Sequence, residues 1–65
     1  MLTINRGTGT KQFDLSYKDN KYVLDIVAFG DWWSETFDNI ESLVRYLRDE
    51  WYLTNEEIKT CIESL

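Results

Sequence analysis

The sequence lacks histidine and proline, and it contains one cysteine and three glycines among 65 residues. With no histidine and only Cys61, the chain can build neither a Cys/His zinc site nor an intramolecular disulfide. Cys61 falls in an apolar helical register, which is typical of a small buried side chain and not of a reactive thiolate. We therefore expect no metal, no cofactor and no disulfide.

Long apolar runs are also missing. No stretch approaches the roughly 20 apolar residues that cross a bilayer, and residues 1–9 lack the apolar run of a signal peptide. These absences predict a small cytoplasmic protein, complete from Met1, that does not bind membranes. The segment Gly7, Thr8, Gly9 has too few glycines for a phosphate-binding loop and precedes a strand-like pattern, so it predicts a flexible turn.

The composition describes one small folded domain, since 43% of the residues are hydrophobic and 15% are aromatic. A chain of this length buries roughly 60% of its unfolded surface, which leaves no room for a deep substrate cleft. Carboxylate pairs such as Asp25 with Glu35 therefore lack the enclosed pocket that general acid catalysis requires. We expect no catalytic residues and no enzymatic activity.

The polarity rhythm changes once along the chain, near Asp38. Residues 11–37 alternate with period two and predict three antiparallel strands, whereas residues 38–65 follow a helical period and predict two helices. Residues 1–10 are either flexible or a short strand. The predicted fold is one α+β domain over 1–65, a three-stranded antiparallel β-meander followed by two helices packed on one sheet face.

Local signals set the boundaries of these elements. Asp19–Asn20 and Gly30–Asp31 predict two-residue turns between the strands. Asp38 with Glu41, and Thr54 with Glu57, have the spacing of helix capping boxes.

These turns predict a strand register in which Phe29 lies opposite Trp32 and Ala28 lies opposite Trp33. Glu35 then falls on the core face opposite Ile26, where it requires an edge position or a β-bulge. The core should include five large apolar side chains, namely Leu24, Ile26, Leu43, Leu47 and Ile62.

The other sheet face is mixed in character, and it contains the residues that we predict to bind a partner: Asp25, Val27, Phe29, Asp31 and Trp32. An apolar patch rimmed by polar groups is typical of an interaction surface. In the alternative interpretation, Phe29 and Trp32 are a cross-strand aromatic pair that stabilises the hairpin, covered by the first ten residues.

Charge is unevenly distributed within the net charge of -5. Residues 1–37 carry five acids and four bases, whereas residues 38–65 carry seven acids and three bases. A recognition helix needs bases to meet phosphates, so the acidic second helix argues against direct nucleic-acid binding. The helical half instead offers a secondary acidic surface, which could mimic a nucleic acid in a basic groove: Asp49, Glu50, Glu56, Glu57 and Glu63.

These patterns predict a small, acidic, non-catalytic protein-binding module. It could be an inhibitor or modulator of a larger enzyme, of the kind that a phage or mobile element encodes. The alternative is a structural homodimer that associates through the same sheet face or through an edge strand.

Overall fold

The computed structural model describes residues 1–7 and 9–65. Its elements are strands β1 (Leu2–Asn5), β2 (Thr10–Lys18), β3 (Lys21–Ala28) and β4 (Asp31–Phe37), followed by helices α1 (Ile40–Asp49) and α2 (Asn55–Glu63). The α+β class with an antiparallel sheet and two helices is confirmed, but the sheet has four strands and not three. Of the predicted glycine turn, Thr8 lies outside the described residues.

The additional strand is β1, which runs antiparallel to β2 at one edge of the sheet. Leu2 and Ile4 are buried while Thr3 and Asn5 are exposed, so the strand has a clean alternation. Four residues are too few for the sequence pattern to decide between a strand and a flexible arm. Residues 2–5 form a strand because the edge of β2 provides pairing partners for them.

The strands follow each other in the order β1-β2-β3-β4, and each one pairs with its neighbours in antiparallel fashion. The β2–β3 pairing that follows from the predicted Asp19–Asn20 turn is confirmed, because Leu15 lies opposite Leu24 and Phe13 lies opposite Ile26. The turn between them consists of Asp19 and Asn20, with φ angles of 54° and 63°. Aspartate and asparagine tolerate this left-handed backbone better than most residues do.

The predicted β3–β4 register is wrong, because the turn lies one residue earlier in the chain than predicted. The turn residues are Phe29 and Gly30, with φ angles of 56° and 72°, and Trp32 lies opposite Val27 instead of Phe29. A two-residue turn with two left-handed residues places glycine readily at its second position, and Gly30 takes that position here. The observed pairs are Ala28 with Asp31, Ile26 with Trp33 and Leu24 with Glu35.

The assignment of residues to the two sheet faces survives this correction. Pairing shifts by two residues in total, and side chains alternate with period two, so every strand residue keeps its face. Glu35 lies on the helix face of the edge strand β4 without a bulge, and it is half-buried.

The two helix starts differ in how well the sequence predicted them. The N-cap of α1 is Asn39, whose side chain accepts from the Ser42 amide at 2.9 Å, so the predicted capping box from Asp38 to Glu41 is wrong. Asp38 instead pairs with Lys21 of β3. The Thr54–Glu57 capping box of α2 is confirmed in both of its hydrogen bonds.

The core lies between the sheet and the two helices, which pack on the same sheet face. Of the five predicted core residues, four are fully buried, whereas Ile62 is only partly buried because it lies near the end of α2. Cys61 is buried, as predicted. The buried side chains are Leu2, Ile4, Phe13, Leu15, Leu24, Ile26, Ala28, Leu43, Leu47, Leu53, Ile58 and Cys61.

Within the described residues, neither of the two helices, α1 and α2, is long and apolar enough to cross a membrane.

Candidate functional site

The sheet face opposite the two helices, here called the open sheet face, presents an aromatic side chain to solvent. Trp32 is 65% exposed and lies opposite Val27, which is 39% exposed. The face is built from the outward residues of all four strands. Its central residues are Thr3, Gln12, Asp14, Asp25, Val27, Trp32 and Ser34.

Two carboxylates lie beside this tryptophan. Asp14 of β2 is directly opposite Asp25 of β3, and Ser34 of β4 donates a hydrogen bond to Asp25. Like charges in directly opposed positions of a sheet repel each other. The pairing therefore places two negative charges side by side without stabilising the sheet.

A shallow depression of about 210 Å³ joins the carboxylates to the apolar part of the face. It is lined by Met1, Gln12, Asp14, Asp25, Val27 and Trp32. Neither aspartate has an ion-pair partner among the described residues. The basic residues on this face, Lys18 and Lys21, lie at the far end of the β2–β3 hairpin, and Lys21 is paired with Asp38.

The structure separates the five residues that the sequence grouped as a partner-binding patch. Asp25, Val27 and Trp32 share the open sheet face. Phe29 belongs to the β3–β4 turn, and its ring stacks on Trp51 at the helix side with 6.1 Å between ring centroids. Asp31 is exposed at the start of β4, where its carboxylate accepts from the Trp32 amide at 2.8 Å.

Phe29 takes part in a second surface, here called the aromatic groove. The groove has a volume of about 450 Å³ and lies between the β3–β4 turn and the connection from α1 to α2. Lys11 places its Nζ atom 5.4 Å from the centroid of the Phe29 ring, which is a cation–π distance. The lining residues are Ile4, Arg6, Gly7, Lys11, Phe29, Glu50, Trp51, Tyr52 and Leu53.

Two residues of the aromatic groove have left-handed backbone angles that bulky side chains rarely adopt. Phe29 has φ 56° and is 67% exposed, and Tyr52 has φ 55° and is 79% exposed. Glycine or asparagine would occupy either position with less strain. Both positions therefore combine an unfavourable backbone with an aromatic ring turned to solvent.

The sequence analysis did not single out Trp51, which has a role in this surface. Its ring contacts Phe13 edge-on at 5.2 Å and lies 6.1 Å from Trp33, so it joins the core to the aromatic groove. The indole Nε1 of Trp51 is buried and has no hydrogen-bond partner among the described residues. The sequence signal that could have identified it is a large aromatic residue placed just after the end of α1.

The secondary acidic surface contains one carboxylate with a structural role. Glu57 accepts a hydrogen bond from Arg6 and closes the capping box of α2, and the Arg6 hydrogen bond lowers the pKa of Glu57 to about 2. The other four members of the surface are exposed, at the end of α1 or along α2. They are Asp49, Glu50, Glu56 and Glu63.

Arg6 also donates to the carbonyl oxygen of Tyr52 at 3.1 Å. It therefore joins the segment after β1 to both the α1–α2 connection and the start of α2. Glu57 is less available to a basic partner than the sequence suggested, because Arg6 already occupies it.

Nucleophilic chemistry finds little support among these side chains. Cys61 is buried, and burial raises the pKa of its thiol. Over residues 1–7 and 9–65, no three side chains of the metal-binding types converge.

Comparison with family models, with curated proteins and with solved structures found no match to this chain.

Proposed function

We propose that this chain is a non-catalytic protein-binding domain and that it contacts its partner through the open sheet face. The observation that supports the proposal most directly is Trp32, which is 65% exposed on the sheet face opposite the helices. Tryptophan is enriched among the residues that dominate binding energy at protein interfaces. Val27 and Met1 extend the apolar area beside it.

The open sheet face is built on regularly paired strands, which favours recognition. Its side chains project from four hydrogen-bonded strands whose other face is held by the core. A preorganised surface loses little conformational entropy on binding. Trp32 is further fixed at its backbone, because its amide donates to the Asp31 carboxylate.

A second copy of the chain is a poorer partner for this face than a different protein. Two open sheet faces packed together would bring four aspartate carboxylates close to each other, because each copy carries Asp14 opposite Asp25. Edge-to-edge pairing through β4 meets another charge, since Glu35 is half-buried on the helix face of that strand. Inward-pointing charges on edge strands oppose such pairing.

The proposal can be tested by selecting binders from a display library of random peptides on the immobilised domain. We expect a class of selected peptides whose affinity falls about thirtyfold in Trp32→Ala, since a central tryptophan contributes about 2 kcal/mol or more. Tyr52→Ala is the matched control, because it removes an aromatic ring that is also largely exposed but belongs to the aromatic groove. The same peptides should bind this control as they bind the unaltered domain.

Circular dichroism establishes whether Trp32→Ala is folded. If it is not, Ser34→Arg is the second variant, since it keeps the tryptophan and blocks the face with a bulky cation. The proposal is wrong if every selected peptide binds Trp32→Ala or Ser34→Arg, whichever is folded, as well as the unaltered domain. It is equally wrong if binding depends on Tyr52 alone.

A further inference from the structure

We infer that the occupant of the open sheet face is an arginine-bearing segment of another protein. This inference rests on the proposed function and adds the chemistry of the partner. It is carried by the placement of an exposed indole ring, Trp32, in one depression with two directly opposed carboxylates, Asp14 and Asp25.

The charges of the face indicate the sign of the partner. Asp14 and Asp25 have no ion-pair partner in the part of the chain that the structure describes, and they lie opposite each other in the sheet. Their repulsion is relieved by a cation placed between them. A positively charged side chain therefore gains attraction to both carboxylates at once and reduces the negative charge at the centre of the face.

The hydrogen-bonding capacity of the carboxylates also remains largely free. Ser34 donates to one oxygen of Asp25, and Asp14 is exposed. Each carboxylate has two oxygens that accept several hydrogen bonds. A group with several N–H donors in a fixed plane can bond to both aspartates together, which a single point charge does less well.

The apolar part of the depression distinguishes arginine from lysine. Trp32 and Val27 lie opposite each other on β4 and β3, in the row next to Asp25. A guanidinium group stacks on an aromatic face and is less strongly hydrated than an ammonium group, while its aliphatic stem packs on apolar side chains. Arginine therefore matches the ring, the apolar neighbour and the carboxylates together.

The experiment uses the selected peptides whose binding depends on Trp32. We expect arginine to be enriched in them, and we expect replacement of that arginine by glutamine to weaken binding about tenfold or more. Replacement by lysine should give an intermediate loss, because the charge is kept while the stacking and the planar donors are lost. Peptides without a basic residue should not bind the open sheet face.

A pair of protein variants with equal net charge separates local recognition from general attraction. Asp14→Asn with Asp25→Asn neutralises the open sheet face, whereas Asp49→Asn with Glu56→Gln removes two charges from the helical layer. We expect the first variant to weaken the arginine peptides about tenfold and the second to change their affinity less than about twofold. Equal losses in both variants would show attraction to net charge and overturn the inference.

The remaining outcomes separate this inference from the proposed function. Peptides that depend on Trp32, lack arginine and ignore the two aspartates would leave the protein-binding proposal standing and overturn the arginine inference. Lysine peptides that bind as tightly as arginine peptides would overturn it as well. If no peptide depends on Trp32, both are wrong.

Discussion

At the scale of single residues, the most unusual feature is the pair of aromatic side chains with a left-handed backbone. Phe29 forms the first position of the β3–β4 turn, and Tyr52 follows the end of α1. A left-handed conformation costs a non-glycine residue about 1–2 kcal/mol. Residues held in such conformations cluster at functional sites, so the aromatic groove is the second surface to test for binding.

Tyr52→Gly should raise the free energy of unfolding by about 1 kcal/mol, because glycine adopts the left-handed backbone without the steric cost. The tyrosine ring is 79% exposed, so little burial is lost. For a domain of this size the gain corresponds to an increase in Tm of about 4–8 °C, measured by thermal denaturation. Tyr52→Ala keeps a Cβ atom in the left-handed region and should not stabilise; equal stabilisation by both would contradict the assignment of strain.

Glu57 should make the stability of the domain depend on pH. Its pKa is lowered from 4.5 to about 2, first by the hydrogen bond from Arg6. Its contribution is therefore present above pH 4.5 and is lost as the pH falls towards 2.

Glu57→Gln should accordingly lower the free energy of unfolding by about 1 kcal/mol at neutral pH. Urea denaturation at several pH values should show this difference shrinking between pH 4.5 and pH 2, because Glu57 becomes progressively protonated over this range. Glu56→Gln, at the exposed neighbouring position, is the control and should show a smaller difference at every pH. A Glu57→Gln difference that is independent of pH would mean that the side chain contributes by packing alone.

At the scale of elements, β1 contributes to the core in spite of its length. Leu2 and Ile4 are buried against the helix layer, and α2 contacts both β1 and β2. The strand is followed directly by Arg6, whose side chain pairs with Glu57 in the first turn of α2. We therefore expect β1 to be part of the cooperative unit and not a detachable arm.

Ile4→Ala should lower the free energy of unfolding by about 2–5 kcal/mol, which is typical of a truncated buried isoleucine. Thr3→Ala removes atoms from the neighbouring residue on the open sheet face and should cost less than about 1 kcal/mol. Chemical denaturation of both variants measures the difference. Similar midpoints for the two would show that β1 separates from the sheet before the core unfolds.

At the scale of the whole molecule, charge opposes self-association. The net charge is -5, and two routes to a symmetric dimer bring carboxylates together, at Asp14 and Asp25 on the open sheet face or at Glu35 on β4, which is one of the two edge strands. Repulsion between like charges keeps small proteins apart at moderate salt. We therefore expect the open sheet face to favour a partner of opposite charge over a second copy of the chain.

Sedimentation velocity should give a monomer of 7.8 kDa at about 100 µM protein, a concentration at which a specific dimer with a micromolar Kd would be populated. Asp14→Asn with Asp25→Asn should reveal any residual tendency to associate through the open sheet face, because it removes the repulsion there. A dimer of the unaltered chain that persists at low salt would contradict the electrostatic argument and favour the self-association hypothesis.

Local sequence patterns were enough to predict the class of the fold and the residues on each face of the sheet. Period-two alternation in β2, β3 and β4 and the helical period after Asp38 follow from local geometry, and so does the Thr54–Glu57 capping box. The face assignment was robust even to an error in the β3–β4 turn, since a shift of two residues preserves the alternation.

The position of β1, the residue that caps α1 and the distribution of the aromatic residues between the two surfaces could not be predicted from local patterns. Four residues of β1 become a strand because the β2 edge pairs with them, and Asn39 caps α1 while Asp38 pairs with Lys21 of β3. Phe29 lies in the β3–β4 turn and not on the open sheet face, and its ring stacks on Trp51, 22 positions along the chain. Each of these outcomes depends on a contact between residues distant in sequence, which local periodicity does not contain.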